Sequence, residues 1–129
     1  MKLENQVTNL ELSRKLKELG VKQESLWYWS WYGQNTFPPD KKYGITRGWT
    51  RESEYSAFTV AELGEMLEDY MISYKIPAQD SRIKYCCERN KNTAGGFCEY
   101  ADTEANARAK MLIYLIENGL IKSKALTGE

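Results

Sequence analysis

A run of seven residues, LWYWSWY at 26–32, does most to limit the folds open to this chain. In an extended strand successive side chains alternate faces, so Trp27, Trp29 and Trp31 share one side of the pleat. Leu26, Tyr28 and Tyr32 share the other side with Ser30. Large rings on both faces need cover on both, which predicts a central strand with packed elements on each side. Residues 34–42, with Pro38, Pro39 and Asp40 in sequence, spell a loop. Residues 43–51 predict a second strand interrupted by Gly44 and Gly48.

Three helices are marked by their ends. Thr8-x-x-Glu11 has the form of a capping box, in which each side chain satisfies the other residue's backbone N–H. Leu12, Leu16 and Leu19 follow at i, i+4 and i+7, with Glu11 placed four residues before Lys15 for a helical ion pair. Gly20 then reads as a left-handed stop, with Val21 folding back on the last turn. Thr59-x-x-Glu62 repeats the capping box, and Phe58 and Leu63 have the spacing of a hydrophobic staple. Val60, Leu63, Leu67, Tyr70 and Met71 form the stripe of this second helix. Gly64 lies on that stripe and lowers helix propensity, which predicts close approach of a neighbouring element. The third helix starts at Asp102 or Thr103 and ends before Gly119. Its second half, MLIYLI, is apolar nearly all round, which implies deep burial or a second contact surface such as a dimer partner.

Residues 83–89 and 96–101 predict a hairpin closed by NKNTAGG, with Cys87 opposite Cys98 if it closes symmetrically. The expected fold is α+β, with an antiparallel sheet of about four strands, three helices, and the order α-β-β-α-β-β-α. At 129 residues the chain suits one domain over 1–121, followed by a frayed tail at 122–129.

Composition excludes several functions. Eighteen basic residues balance eighteen acidic ones, whereas a domain that grips phosphate backbones usually carries a clear positive excess. Three cysteines and an opening MKLENQ without an apolar core favour a reducing cytoplasm, and residues 111–116 are too short an apolar run to span a bilayer. There is no histidine, which removes Ser-His-Asp and Cys-His catalysis and every histidine-ligated metal site. No phosphate-binding or dinucleotide glycine pattern occurs. Cys86, Cys87 and Cys98 lack C-x-x-C spacing, and neighbouring cysteines on a strand point apart, so buried apolar thiols are expected. Glu62, Glu65 and Asp69 share a helical face but have no identifiable second set of ligands. No catalytic residue, cofactor or metal is therefore assigned. An enzyme here would have to work with carboxylates or a thiol alone.

Four tryptophans and nine tyrosines remain to be explained. They are either core or a contact surface, since both residue types anchor interfaces. The candidate surface comprises Trp27, Trp29, Trp31 and Trp49, with Arg47 and Arg51 sharing a strand face with Trp49. Two partners suit it: an unidentified protein or a second copy of the chain, or single-stranded nucleic acid stacked on the rings.

Residues 10–29, 56–67 (SAFTVAELGEML) and 101–121 (ADTEANARAKMLIYLIENGLI) resemble segments of small uncharacterised proteins encoded by phages and prophages. The resemblance implies a mobile-element origin and a host-cytoplasmic location. It implies no activity and no cofactor. The expectation is a non-enzymatic interaction or self-associating domain, with single-stranded nucleic-acid binding as the alternative and no membrane partner.

Overall fold

Helix α1 (Leu10–Glu18) is capped by Asn9, whose side chain accepts the Leu12 N–H at 2.8 Å, so the helix begins one residue beyond the expected Thr8 cap. Asparagine and threonine cap comparably well, and long-range contacts decide between them. Val7 bridges to Thr59, which draws Thr8 into the interior. There its Oγ1 bonds Ser13 Oγ at 2.6 Å and accepts the Phe58 N–H at 3.1 Å. The helix stops as its sequence predicts. Gly20 adopts a φ of 90°, and Val21, buried, donates its N–H to Leu16 O at 3.0 Å. Lys15 pairs with Glu117 at 3.4 Å rather than with Glu11.

These elements belong to a computed structural model that describes residues 2–31, 43–67, 71–76, 85–89 and 98–121. Helix α2 (Val60–Leu67) has the full capping box: Thr59 N–H donates to Glu62 Oε1 at 2.9 Å, and Glu62 N–H to Thr59 Oγ1 at 3.2 Å. Phe58 and Leu63 are both buried, as a staple requires. The helix is described as far as Leu67, and Met71, which the helical stripe includes, opens a strand instead. Helix α3 (Glu104–Glu117) is capped by Thr103, which accepts the Asn106 N–H at 3.1 Å, and Gly119 closes it at a φ of 64°.

Among the described residues the strands form two antiparallel sheets of three, where one sheet of four was expected. In the first, β1 (Trp27–Trp31) lies between β2 (Tyr43–Arg47) and β3 (Ser53–Ala57), the central place that its two-faced aromatic pattern demands. Strand β2 stops at Arg47 because Gly48 turns to a φ of 76° and donates its N–H to Leu26 O. In the second, β5 (Tyr85–Arg89) lies between β4 (Met71–Lys75) and β6 (Cys98–Ala101). The order is thus α-β-β-β-α-β-β-β-α, with β3 and β4 added to the expected elements. Tyr32, the 34–42 loop, Asp69 and Tyr70, residues 83, 84, 96 and 97, the NKNTAGG turn and the 122–129 tail lie outside the described residues.

Helix α3 sits between the second sheet and the other helices, touching β4, β5 and β6 as well as α1 and α2. Ala105, Ala107, Ala109, Met111, Leu112, Ile113 and Leu115 are all buried, so the all-round apolar character of MLIYLI is satisfied inside the chain. Cys87 and Ala101 face this helix and join its core, whereas the first sheet meets α1 through its edge strand β3. Burying one leucine completely contributes about 1.5–3 kcal/mol, and Leu16, Leu63, Leu67, Leu112 and Leu115 are all essentially inaccessible.

The expected close approach at Gly64 is made by Arg108. Its Nη1 donates to Val60 O at 2.8 Å and its Nε to Ser73 Oγ at 2.8 Å, while Nη2 lies 3.7 Å from Glu104. The Ser73 hydroxyl in turn donates to Glu104. One guanidinium therefore ties α2, α3 and β4 together across a residue that has no side chain.

Candidate functional site

Residues paired directly across antiparallel strands point to the same face. Trp27 is opposite Arg47 and Ala57, Trp29 opposite Ile45 and Tyr55, and Trp31 opposite Tyr43. One face of the first sheet therefore gathers three tryptophans and two tyrosines, all of them half-buried. Trp31 meets Tyr43 edge-on at 5.2 Å between centroids, and Tyr43 lies 6.3 Å from Tyr55. Cations cover the rings: Arg47 over Trp27 at 5.9 Å, and Arg14 and Lys17 of α1 over Tyr55 at 5.7 and 5.3 Å. Such contacts contribute roughly 0.5–1 kcal/mol at exposed sites. Trp29 has a structural bond as well, its indole N–H donating to Thr8 O at 2.9 Å. Tyr43 donates its hydroxyl to Glu54 at 2.9 Å, and burial, then this bond, pushes its phenol up to about 12.

The opposite face of the sheet carries a polar cluster beside Tyr28. Ser30 Oγ bonds Thr46 at 2.8 Å and Ser53 at 3.1 Å, and Ser53 Oγ accepts the Thr50 N–H. Trp49 belongs to this side. It packs edge-on against the buried Tyr28 at 5.3 Å and is 62% exposed. Arg51 lies in the connection between β2 and β3, its side chain 93% exposed. The expected strand face of Arg47, Trp49 and Arg51 therefore does not form, because Gly48 turns the chain between the first and second of them. Of the six residues singled out, Trp27, Trp29, Trp31 and Arg47 are brought together. Tyr43, Tyr55, Arg14 and Lys17 join them, and only strand register could have announced this.

Beside Trp27 a cavity of about 520 Å³ opens where the starts of α2 and α3 meet both sheets. Val60, Lys75, Tyr85, Asp102 and Glu104 are among its lining residues. The aromatic face therefore ends in a recess large enough for one or more side chains of a partner.

The second sheet carries a different constellation on the side turned away from α3. Cys87 lies opposite Glu99, and Glu88 opposite Cys98. The hairpin register thus differs by one residue from symmetric closure and moves Cys98 onto the face of Cys86. The sulfurs of Cys86 and Cys98 and a carboxylate oxygen of Glu88 lie within 4.8 Å of one another. Cys98 Sγ is 3.3 Å from Glu88 Oε2, and Tyr74 OH is 3.4 Å from the same oxygen. Tyr74 and Tyr100 stand on either side of the buried Cys86. Burial, then the bond to Glu88, pushes the Cys98 thiol up to about 11, and burial pushes Cys87 up to about 12. Cys87 is the inert core thiol that the sequence suggests for all three.

No family model matches this chain, and neither the curated proteins nor the solved structures provide a match. Among the described residues, no helix is long and apolar enough to cross a membrane.

Proposed function

We propose that the chain is a non-enzymatic interaction domain, of the phage- or prophage-encoded kind that its helical segments resemble, and that it binds another protein through the aromatic face of its first sheet. The observation that carries this reading is the placing of five half-buried rings on one face: Trp27, Trp29, Trp31, Tyr43 and Tyr55. Tryptophan and tyrosine offer large contact area for little lost freedom, and they anchor interfaces in well-packed recesses. Trp27, next to the cavity and under Arg47, is the natural centre of such a contact.

A second reading, single-stranded nucleic acid, is favoured by Arg14, Lys17 and Arg47 over those rings, since bases stack on aromatics while cations track phosphates. The balanced charge of the chain weighs against it. Capture of the tagged chain from host lysate, with and without nuclease, separates the two. The protein reading expects one protein enriched in both arms and lost with Trp27→Ala, a substitution expected to cost about 2 kcal/mol or more. Enrichment that disappears with nuclease would transfer the face to nucleic acid. Binding indifferent to Trp27→Ala and Arg47→Ala would show that the face is not the site.

A further inference from the structure

We propose that Cys86, Glu88 and Cys98 form a binding site for a divalent cation of the zinc class, on the face of the second sheet turned away from α3. The three donor atoms already lie within 4.8 Å of one another. Around a tetrahedral zinc, with bonds of about 2.3 Å to sulfur and 2.0–2.2 Å to carboxylate oxygen, such donors stand roughly 3.5–3.8 Å apart. The Cys98–Glu88 pair, at 3.3 Å, is close to that spacing before any ion enters. The remaining adjustment is a small side-chain movement on two adjacent strands whose register holds the backbone still.

The donor set selects the ion. Two thiolates and one carboxylate suit zinc and its softer neighbours, whereas magnesium and calcium require oxygen ligands. Glu88 and Cys98 are half-exposed while Cys86 is buried, so the site is open on one side and a water completes the tetrahedron. The Tyr74 hydroxyl, 3.4 Å from the carboxylate, supplies the outer partner that orients such a ligand. Binding balances simply: the cation replaces the two thiol protons, which pass to solvent, and three negative ligands around a 2+ ion leave one net negative charge. Cys87 takes no part, because it faces α3 on the other side of the sheet.

The test uses the full chain, reduced and metal-free, titrated with cobalt(II) and then zinc. The expected result is a thiolate-to-cobalt charge-transfer band that saturates at one equivalent, with two protons released per ion, and that zinc abolishes. Cys98→Ser should remove the band, and Glu88→Gln should weaken binding at least about tenfold. Cys87→Ala should leave the band in place. Both ligand variants change half-exposed positions, and circular dichroism verifies that each is folded. A folded wild-type chain without the band overturns the site. So does a band that survives Cys98→Ser, one that disappears with Cys87→Ala in a folded chain, or a chain that yields only a Cys86–Cys98 disulfide.

Discussion

Replacing Gly64 with alanine adds one methyl group to α2, and two effects of opposite sign follow. Alanine favours the helix over glycine by roughly 1 kcal/mol. The new Cβ, however, would meet Arg108 Nη1 far inside the roughly 3.5–4.0 Å of ordinary contact. Arg108 must withdraw, and with it goes the bond to Val60 O at 2.8 Å. A hydrogen bond to a charged group contributes about 1.5–3 kcal/mol, and the Arg108 side chain is only 23% exposed. A loss of about 2 kcal/mol against a gain of about 1 leaves Gly64→Ala destabilising by about 1 kcal/mol. In an Arg108→Met background the stem still packs but the obstacle is gone, so the same substitution should stabilise by about 1 kcal/mol. The sign reverses between backgrounds, a coupling of about 2 kcal/mol. Urea unfolding of the four chains, followed by circular dichroism, measures it from midpoints at constant slope. Equal effects of Gly64→Ala in both backgrounds would refute the reasoning.

Thr8→Val keeps the shape of a fully buried side chain but leaves the Phe58 N–H and the Ser13 hydroxyl without that partner. It should cost about 1–3 kcal/mol, and an unchanged urea midpoint would show that the hydroxyl is dispensable. Tyr43, whose phenol is raised from 10 to about 12, is neutral in both states below pH 10. Its contribution to stability is complete there and is lost as pH rises from 10 through 12, because only the unfolded phenol ionises across that window. Tyr74 is raised to about 12 as well, so the spectrophotometric titration compares the wild-type chain with Glu54→Gln: one of the late phenols should move toward the ordinary value, and no movement would assign the Tyr43 shift to burial alone. Trp49→Phe should remove the emission most accessible to iodide while costing about 0.5–1.5 kcal/mol or less, as the edge contact with Tyr28 is partly kept. If iodide quenching is unaltered by that change, another tryptophan is the exposed one.

Local signals in the sequence carried as far as local physics reaches. The Thr59–Glu62 box, the Gly20 and Gly119 stops and the central place of the LWYWSWY strand all depend on residues within a few positions of one another. What escaped was decided at a distance. Ser53–Ala57 reads SEYSA, with too little apolar character to announce a strand, and it becomes one by pairing with β1. Met71 continues the helical stripe of α2 yet opens β4, whose partner is β5. Thr8 has the composition of a cap and serves instead as a buried hub, because Val7 is bound to Thr59 fifty-two residues away in sequence. The candidate sites follow the same rule. The tryptophan alternation was visible in β1, but its tyrosine and arginine neighbours come from β2, β3 and α1. The cysteine pair depended on a hairpin register that the intervening residues do not specify.

The composition of the core bears on what the aromatic face is for. Among the largest fully buried side chains of the described residues, Phe58 is the one aromatic, and the others are Leu, Met, Val, Thr, Cys and Ser. The helices and the second sheet thus close a core from aliphatic residues, with Cys87 and Ala101 sealing the underside of α3. Tyr28 joins the interior, whereas the three tryptophans and two tyrosines of the aromatic face stay only partly buried. Their concentration on one face of the first sheet, which meets α1 chiefly along β3, bears on what that face contacts. A ring held half-exposed keeps apolar area in water that a partner could cover, and natural monomers limit such contiguous area. Packing Trp27 and Tyr55 against cations lessens this at two of the five rings without burying them. A stability role alone would predict that Trp27→Ala and Trp31→Ala destabilise the fold as strongly as a core truncation such as Leu112→Ala, about 2–5 kcal/mol. A contact role predicts a small loss of stability with a large loss of binding, and that contrast separates the two.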